Sequence, residues 1–538
     1  MRPDIVPTEY ARTADEPSFG RERRLVVVLL LVNAVLRAWL AAALPLLNEE
    51  AYYWEWSCFP APGYLDHPPM VAWLIRAASA LAPGGGPWAV RLPALLLGTG
   101  SQWLVFRLAL AVFGDRRTAW RALLTYLALP MSSAFGVLMV TESPQIFAAL
   151  LALLFFARAA RHARLRDWLA GGAALGLALL SNFIAALLLP ALIGLGTGGP
   201  PSDRRARRRG IFAALLTAAA IASPFLWWNV RRGFPTFALQ LAHRHLQEIG
   251  RGPKLPVEWL FEQLVNAGPL LFLPLSRSLL VRPADGIGDA RGRSLLRRVS
   301  GAVLLVFMAV GVVAQTHPNW TALAFPPAAV LLAGAWTRSD TPRVARRRRG
   351  LALAAAVFPQ IAAAALIVAI VLFSRAGPDL SRDRDSKAAL AAARLLGWPA
   401  TAAAIEERRA REPWTGGGPP LLFAGDYRFA GAVSYQRRAL PDAERFVINL
   451  GPYARARRQV GDAQIHYLPL APLAGRGGLL LVRPGESRAA HLCALFDRAE
   501  EIEPLRQPCG GRVLQEYRVF RVGGLRPRPP YRPPEIEN

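Results

Sequence analysis

Residues 48–56 read Asn48-Glu49-Glu50-Ala51-Tyr52-Tyr53-Trp54-Glu55-Trp56, and residues 63–73 read Gly63-Tyr64-Leu65-Asp66-His67-Pro68-Pro69-Met70-Val71-Ala72-Trp73. This dense group of acids and aromatics follows an apolar run, Leu25 to about Leu47, long enough to cross roughly 30 Å of hydrocarbon. Arg21, Arg23 and Arg24 precede that run, and it lacks a small-residue cleavage site. It therefore reads as a retained helix with a cytoplasmic N-terminus rather than a signal peptide. Further apolar runs lie near 88–113, 118–136, 143–160, 168–181, 183–198, 211–228, 259–276, 299–315, 320–336 and 350–373, which makes about eleven spans.

The composition agrees. Of 538 residues, 53% are hydrophobic and only 19% charged, which excludes a simple soluble domain, disorder and coiled coil. A net charge of +27 would ordinarily suggest a nucleic-acid partner, but the arginines fall between apolar stretches, where they anchor loops on one side of a membrane. Arg116/Arg117, Arg161 to Arg166, Arg204 to Arg209, Arg291 to Arg298 and Arg343 to Arg349 share one face, read as the cytoplasm. Loop 48–87, the turn at Thr141, loop 229–258, the turn at His317 and everything after Ser374 fall on the other face. The expected organisation is a cytoplasmic tail (1–24), a membrane domain (25–373), an extracytoplasmic domain (374–525) and a tail without fixed structure (526–538).

After Arg375 the text changes character. A helix-like stretch, Ser386 to Arg411, alternates with strand-like runs at Leu421 to Ala424, Arg445 to Leu450 and Gly478 to Val482, the mixture of a small α/β or α+β domain. Cys493 and Cys509 lie in it; a disulfide and two free thiols are both physically sensible, and Cys58 has no obvious partner. Asp426-Tyr427-Arg428 and Tyr435 are polar candidates there, in what reads as a loop after a strand.

Ionisable groups at a membrane surface are costly, so chemistry is sought where they gather. The aromatics of the first outer loop fit an interfacial belt on their own. The adjacent Glu49 and Glu50 repel each other, which suits one of them to proton transfer, and together with Asp66-His67-Pro68-Pro69 they point to function.

Glu49-Glu50-Ala51-Tyr52-Tyr53-Trp54 followed by Asp66-His67-Pro68-Pro69 resembles the first outer loop of bacterial membrane glycosyltransferases of the dolichyl-phosphate-mannose protein mannosyltransferase-like group. These share the GT-C fold with the aminoarabinose transferases that modify lipid A. Thr141-Glu142-Ser143-Pro144, Gly176-Leu177-Ala178-Leu179-Leu180-Ser181-Asn182, Trp228-Asn229 with Phe237 and Gln240, and Pro318-Asn319-Trp320 resemble further family segments in the same order. The family usually has Asp-Glu at Glu49-Glu50 and Asp at Glu142, each change adding a methylene and about 1.5 Å of reach. It has lysine where this chain has Asn182.

The resemblance implies a mainly α, polytopic GT-C membrane domain with an extracytoplasmic mixed α/β domain that helps choose the acceptor. It also implies an inverting transfer of one sugar from a polyprenyl-phosphate donor to a lipid, glycan or protein acceptor at the periplasmic face of the bacterial inner membrane. Glu49 matches the catalytic position and is the expected general base, with Glu50, Asp66 and Glu142 orienting the acceptor or shaping the base. Tyr52, Tyr53, His67, Asn229, Arg231, Gln240, Arg244, Lys254 and Asn319 are the expected substrate contacts. Arg244 and Lys254 are chosen for the phosphate from a loop that also holds Arg232, His243 and His245; contact with anionic headgroups is the alternative for each. No metal site is assigned, because His243 and His245 at i, i+2 share no helix face and lack a clear third ligand. Mg²⁺ or Mn²⁺ between Glu49 and Glu142 stays open as a cofactor, since hard oxygens suit either ion.

Other signals fail on context. Gly194-Leu195-Gly196-Thr197-Gly198-Gly199 fits a dinucleotide fingerprint but runs into Pro200-Pro201 instead of opening a helix. No Walker sequence is present, which argues against an ATP-driven pump. A carrier or flippase remains as an alternative and predicts related halves with broken helices, while a non-catalytic scaffold predicts that the outer-face acids carry no role.

Overall fold

A computed structural model describes residues 17–82, 84, 86–197, 200–238, 256–280, 288–338, 350, 362, 365, 396–412, 419–450, 473–483, 489–509 and 512–526. Of the expected span 350–373 only 350, 362 and 365 are in this set, and of the expected tail 526–538 only 526. In the membrane half the helices are α1 (Pro17–Ala43), α2 (Asn48–Cys58), α3 (Met70–Leu81), α4 (Gly86–Phe113), α5 (Arg116–Leu127), α6 (Pro130–Ala134), α7 (Glu142–His162), α8 (Leu165–Ser181), α9 (Leu189–Ile193), α10 (Pro201–Arg231), α11 (Pro235–Ala238), α12 (Pro256–Ala267), α13 (Pro269–Leu280), α14 (Ala290–Val313) and α15 (Phe325–Arg338).

Among the described residues, five helices are long and apolar enough to cross a membrane: α1 over Arg23–Ala43, α4, α7, α10 and α14. The other runs are interrupted, for local reasons. Run 118–136 divides at Leu129, which is extended (φ −79, ψ 121) because Pro130 follows it. Run 259–276 divides at Gly268, in the left-handed region at φ 77. Run 183–198 is a short α-helix between two 3-10 turns. The arginines 204–209 and 291–298, read as loops, sit in the first turns of α10 and α14. Loop 48–87 is also mostly helix, since α2 and α3 occupy it.

Helix α7 forms the centre of the bundle, and exposed Leu31, Val35, Trp103, Phe212 and Val312 on α1, α4, α10 and α14 give the outer surface its apolar character. Helices α8 and α10 approach closely through small residues four apart, Gly172 and Gly176 against Ala214 and Ala218. A Cβ on Gly172 would lie 2.3 Å from the Ala214 carbonyl oxygen. Gly172→Val is accordingly expected to force the helices apart and destabilise the protein by about 1–3 kcal/mol, read as a lower unfolding midpoint in detergent.

The C-terminal half contains α16 (Trp398–Arg411), β1 (Leu421–Ala424), α17 (Tyr427–Gln436), α18 (Asp442–Arg445), β2 (Ile448–Asn449), β3 (Gly478–Val482), α19 (Ala489–Cys493), β4 (Phe496–Cys509) and β5 (Arg512–Leu525). The sheet order is β2-β1-β3-β5-β4, with β1 parallel to β2 and β3, and β5 antiparallel to β3 and β4. Alternation divides each strand between two cores: Leu422, Leu479 and Val519 pack with Trp398 and Ile405 of α16, while Phe423, Leu480 and Phe520 pack with Leu492. Cys493 is a free thiol. Helix α17 begins at the carboxyl end of β1, capped by Asp426, which accepts the Arg428 N–H at 2.7 Å. Tyr427 and Arg428 thus lie in a first helical turn instead of a loop.

Candidate active site

The site begins where α1 ends. Glu50 is wholly buried at the third position of α2 and accepts the Leu47 N–H at 3.0 Å. Arg91 of α4 forks onto the same carboxylate, Nε to Oε1 at 2.8 Å and Nη2 to Oε2 at 2.5 Å. Its remaining donors reach the Leu44 carbonyl (2.7 Å) and the Pro45 carbonyl (2.8 Å), satisfying groups that the end of α1 leaves without helical partners. The Met139 N–H closes the arrangement on Glu50 Oε1 at 3.0 Å. Each carboxylate oxygen of Glu50 therefore accepts two bonds. Glu50 thus joins α1, α2, α4 and the turn before α7.

Glu49, beside it, turns the other way. Its side chain is 28% exposed, and its charged partner is Arg428 of α17, with Nε 3.2 Å from Oε1. One turn along α2, the Tyr52 hydroxyl donates to Asp66 Oδ2 at 2.8 Å. Burial, reinforced by the neighbouring Asp66 charge, holds the Tyr52 phenol well above its ordinary pKa, so it stays a donor. Tyr53 meets the His67 ring edge-on at 6.2 Å between centroids, and His67 stacks on Phe183 at 6.0 Å.

Phe183 follows Asn182, whose amide donates to Thr141 Oγ1 at 3.2 Å and whose oxygen caps the next turn through the Ile184 N–H. The Thr141 hydroxyl donates to Glu142 Oε2 at 3.2 Å, and Asn319 donates to Glu142 Oε1 at 2.7 Å. Asn266 fixes the Asn319 turn by donating to the Pro318 carbonyl at 2.6 Å. From Thr141 the chain leads back through Met139 to Glu50. A closed circuit of contacts thus joins the two outer-loop segments to the turns at 141, 182 and 319, and it brings Glu49, Asp66, Glu142, His67 and Asn319 to one end of the bundle.

Loop 229–258 is only partly described. Asn229 is fully buried; its amide donates to the Phe225 carbonyl at 3.2 Å, and its oxygen accepts the Thr236 N–H at 3.3 Å. The Thr236 hydroxyl reaches back to the Tyr64 carbonyl at 2.9 Å. Asn229 therefore shapes the turn that meets the segment around Tyr64. The Arg231 and Arg232 guanidinium carbons lie 5.3 and 4.9 Å from the Trp227 and Trp228 ring centroids. Gln240, Arg244 and Lys254, with His243 and His245, lie outside the described residues. Among the described residues no three His, Cys, Asp or Glu side chains gather as a metal-ligand set, and Glu49 and Glu142 pair instead with Arg428 and Asn319.

Arg91 escaped the sequence reading, although an arginine early in an apolar helix implies a buried carboxylate partner. Arg428 was a polar candidate in the sequence, but its pairing with Glu49 had no signal there, because it depends on how the C-terminal half docks. Helix α17 lies directly on α2, with Tyr427 and Tyr52 rings 4.5 Å apart and Trp54 edge-on to Tyr435 at 5.1 Å. A Cβ on Gly431 would stand 2.8 Å from the Tyr52 backbone nitrogen. Gly431→Val should therefore loosen the docked C-terminal half, seen as faster protease cleavage between the halves, at a cost of about 1–3 kcal/mol.

Residues 66–228 match the model of a family described as dolichyl-phosphate-mannose-protein mannosyltransferase. Across 293 residues the chain is 27% identical to lipid A galacturonosyltransferase RgtD of Rhizobium johnstonii, a match covering 53% of this chain and 59% of that relative's length. The crystal structure of ArnT from Cupriavidus metallidurans in the apo state superposes with a TM-score of 0.57 at 16% identity, covering 94% of this chain and 99% of ArnT. The same protein bound to undecaprenyl phosphate gives 0.56 at 15% identity, covering 93% and 98%. The chain thus shares the fold of ArnT, and over part of its length its sequence is similar to the mannosyltransferase family model and to RgtD.

Proposed function

We propose that the protein is an integral membrane glycosyltransferase that moves one sugar from a polyprenyl-phosphate donor to an acceptor hydroxyl at the periplasmic face of the inner membrane. In this reading the acceptor oxygen attacks the anomeric carbon from the face opposite the phosphate. The bond to the phosphate oxygen breaks with its electron pair, the configuration inverts, and Glu49 takes the acceptor's proton. The observation that carries the reading is the division of labour between neighbours: Glu50 is buried with both oxygens saturated, whereas Glu49, next to it in the same circuit, is partly open to an incoming hydroxyl. Tyr52 and Asp66, with Glu142 and Asn319, form the walls that orient the acceptor.

ArnT crystallised with undecaprenyl phosphate supports the donor class, and the name of RgtD supports a glycolipid acceptor. The alternation of arginine-rich connections supports the orientation. The experiment is reconstitution of the purified protein in vesicles containing polyprenyl-phosphate sugars and lipid A. Release of polyprenyl phosphate with an inverted anomeric centre in the product, followed by NMR, is the expected result. Movement of the lipid-linked sugar between leaflets without release would instead identify a flippase.

A further inference from the structure

A departing lipid phosphate needs a fixed cation, because the charge that develops on its oxygen has no water to receive it. In the membrane half of the circuit, the obvious cation is already engaged: Arg91 is divided between Glu50 and the carbonyls at the end of α1. Asn182 is neutral, and both ends of its amide are bonded. Among the described residues, a further cation reaches this end from the C-terminal half. Arg428 projects from the first turn of α17 with its guanidinium 5.3 Å from the Tyr427 ring centroid and 30% of its side chain exposed, and it meets the candidate base Glu49.

We propose that Arg428 is the donor-phosphate ligand, paired with Glu49 while the site is empty and transferred to the phosphate when the lipid arrives. A planar guanidinium suits a phosphate bidentately, and its shift from carboxylate to phosphate frees Glu49 for the acceptor's proton. Donor binding and release of the base from its ion pair then become one event, so Glu49 is freed to take a proton only when a lipid phosphate is present. This inference rests on the transferase reading above and adds to it the residue that recognises the donor.

The test measures binding of undecaprenyl phosphate to the full-length protein in nanodiscs. Arg428→Gln, which removes the charge and leaves a neutral amide, is expected to weaken binding about ten- to a hundredfold, with Arg428→Lys in between. Glu49→Gln removes the internal competitor and is expected to tighten binding several-fold, although it disables transfer. The double variant should bind as weakly as Arg428→Gln alone. Wild-type binding by Arg428→Gln, or no tightening in Glu49→Gln, overturns the inference. If Glu49→Gln abolishes transfer while Arg428→Gln binds normally, the transferase reading stands without this ligand. An unchanged unfolding midpoint and protease pattern for Arg428→Gln separates lost charge from a loosened C-terminal half; weak binding only in a variant with changed protease cleavage also overturns it.

Discussion

Glu49→Gln is expected to lower sugar transfer about a hundred- to ten-thousand-fold, the range that a positioned general base contributes, and to leave the protein folded. The amide preserves shape and hydrogen-bonding capacity but takes no proton, so the attacking hydroxyl must shed its proton to solvent. Loss of the Arg428 ion pair costs little stability, because about a quarter of the Glu49 side chain faces solvent. Initial rates on reconstituted enzyme at saturating donor separate this from a binding defect: kcat should fall. Glu49→Asp shortens reach by about 1.5 Å and should retain part of the rate, since the chemistry is kept and only the placement changes. A Gln variant within tenfold of wild type would remove Glu49 as the base.

The second large effect is on folding. Arg91→Met leaves Glu50 charged in a site with no solvent and strips two carbonyls at the end of α1 of their donors. Breaking a fully buried pair from one side typically costs about 3–5 kcal/mol, because the remaining charge is stranded. Thermal unfolding in detergent, together with yield in the membrane, should show this loss. Replacing both members, Arg91→Met with Glu50→Leu, is expected to recover part of it, since no lone charge then remains. A single variant as stable as wild type would mean that water reaches Glu50.

How much of this was legible in the sequence varies by element. The runs Leu421–Ala424 and Gly478–Val482 are strands β1 and β3, continuous apolar segments buried on both faces and readable as such. The two longest strands, β4 and β5, were not foreseen. Their text, Phe496 to Cys509 above all, mixes acids and bases without apolar alternation, because cross-strand ion pairs link the two strands, Glu501 with Arg518 on one face and Glu500 with Arg521 on the other. Those partners are set by register, which composition does not reveal.

Membrane runs were visible as hydrophobicity, yet their breaks at Leu129 and Gly268 depend on single residues inside otherwise apolar text. At the site, the acids of the first outer loop stood out, but their roles did not. Glu49 and Glu50 are identical in the sequence, and only the packing of α4 and α17 against α2 assigns Arg91 to one and Arg428 to the other.

The close seat of α17 on α2 also limits how this architecture can be recombined. Tyr427, Arg428 and Gly431 on one side match Glu49, Ala51 and Tyr52 on the other, so a hybrid that grafts the C-terminal half of one relative onto the membrane half of another inherits two unmatched surfaces. Such hybrids should become productive only when both short segments travel together, and lineages that exchange these halves should carry paired substitutions at the same positions.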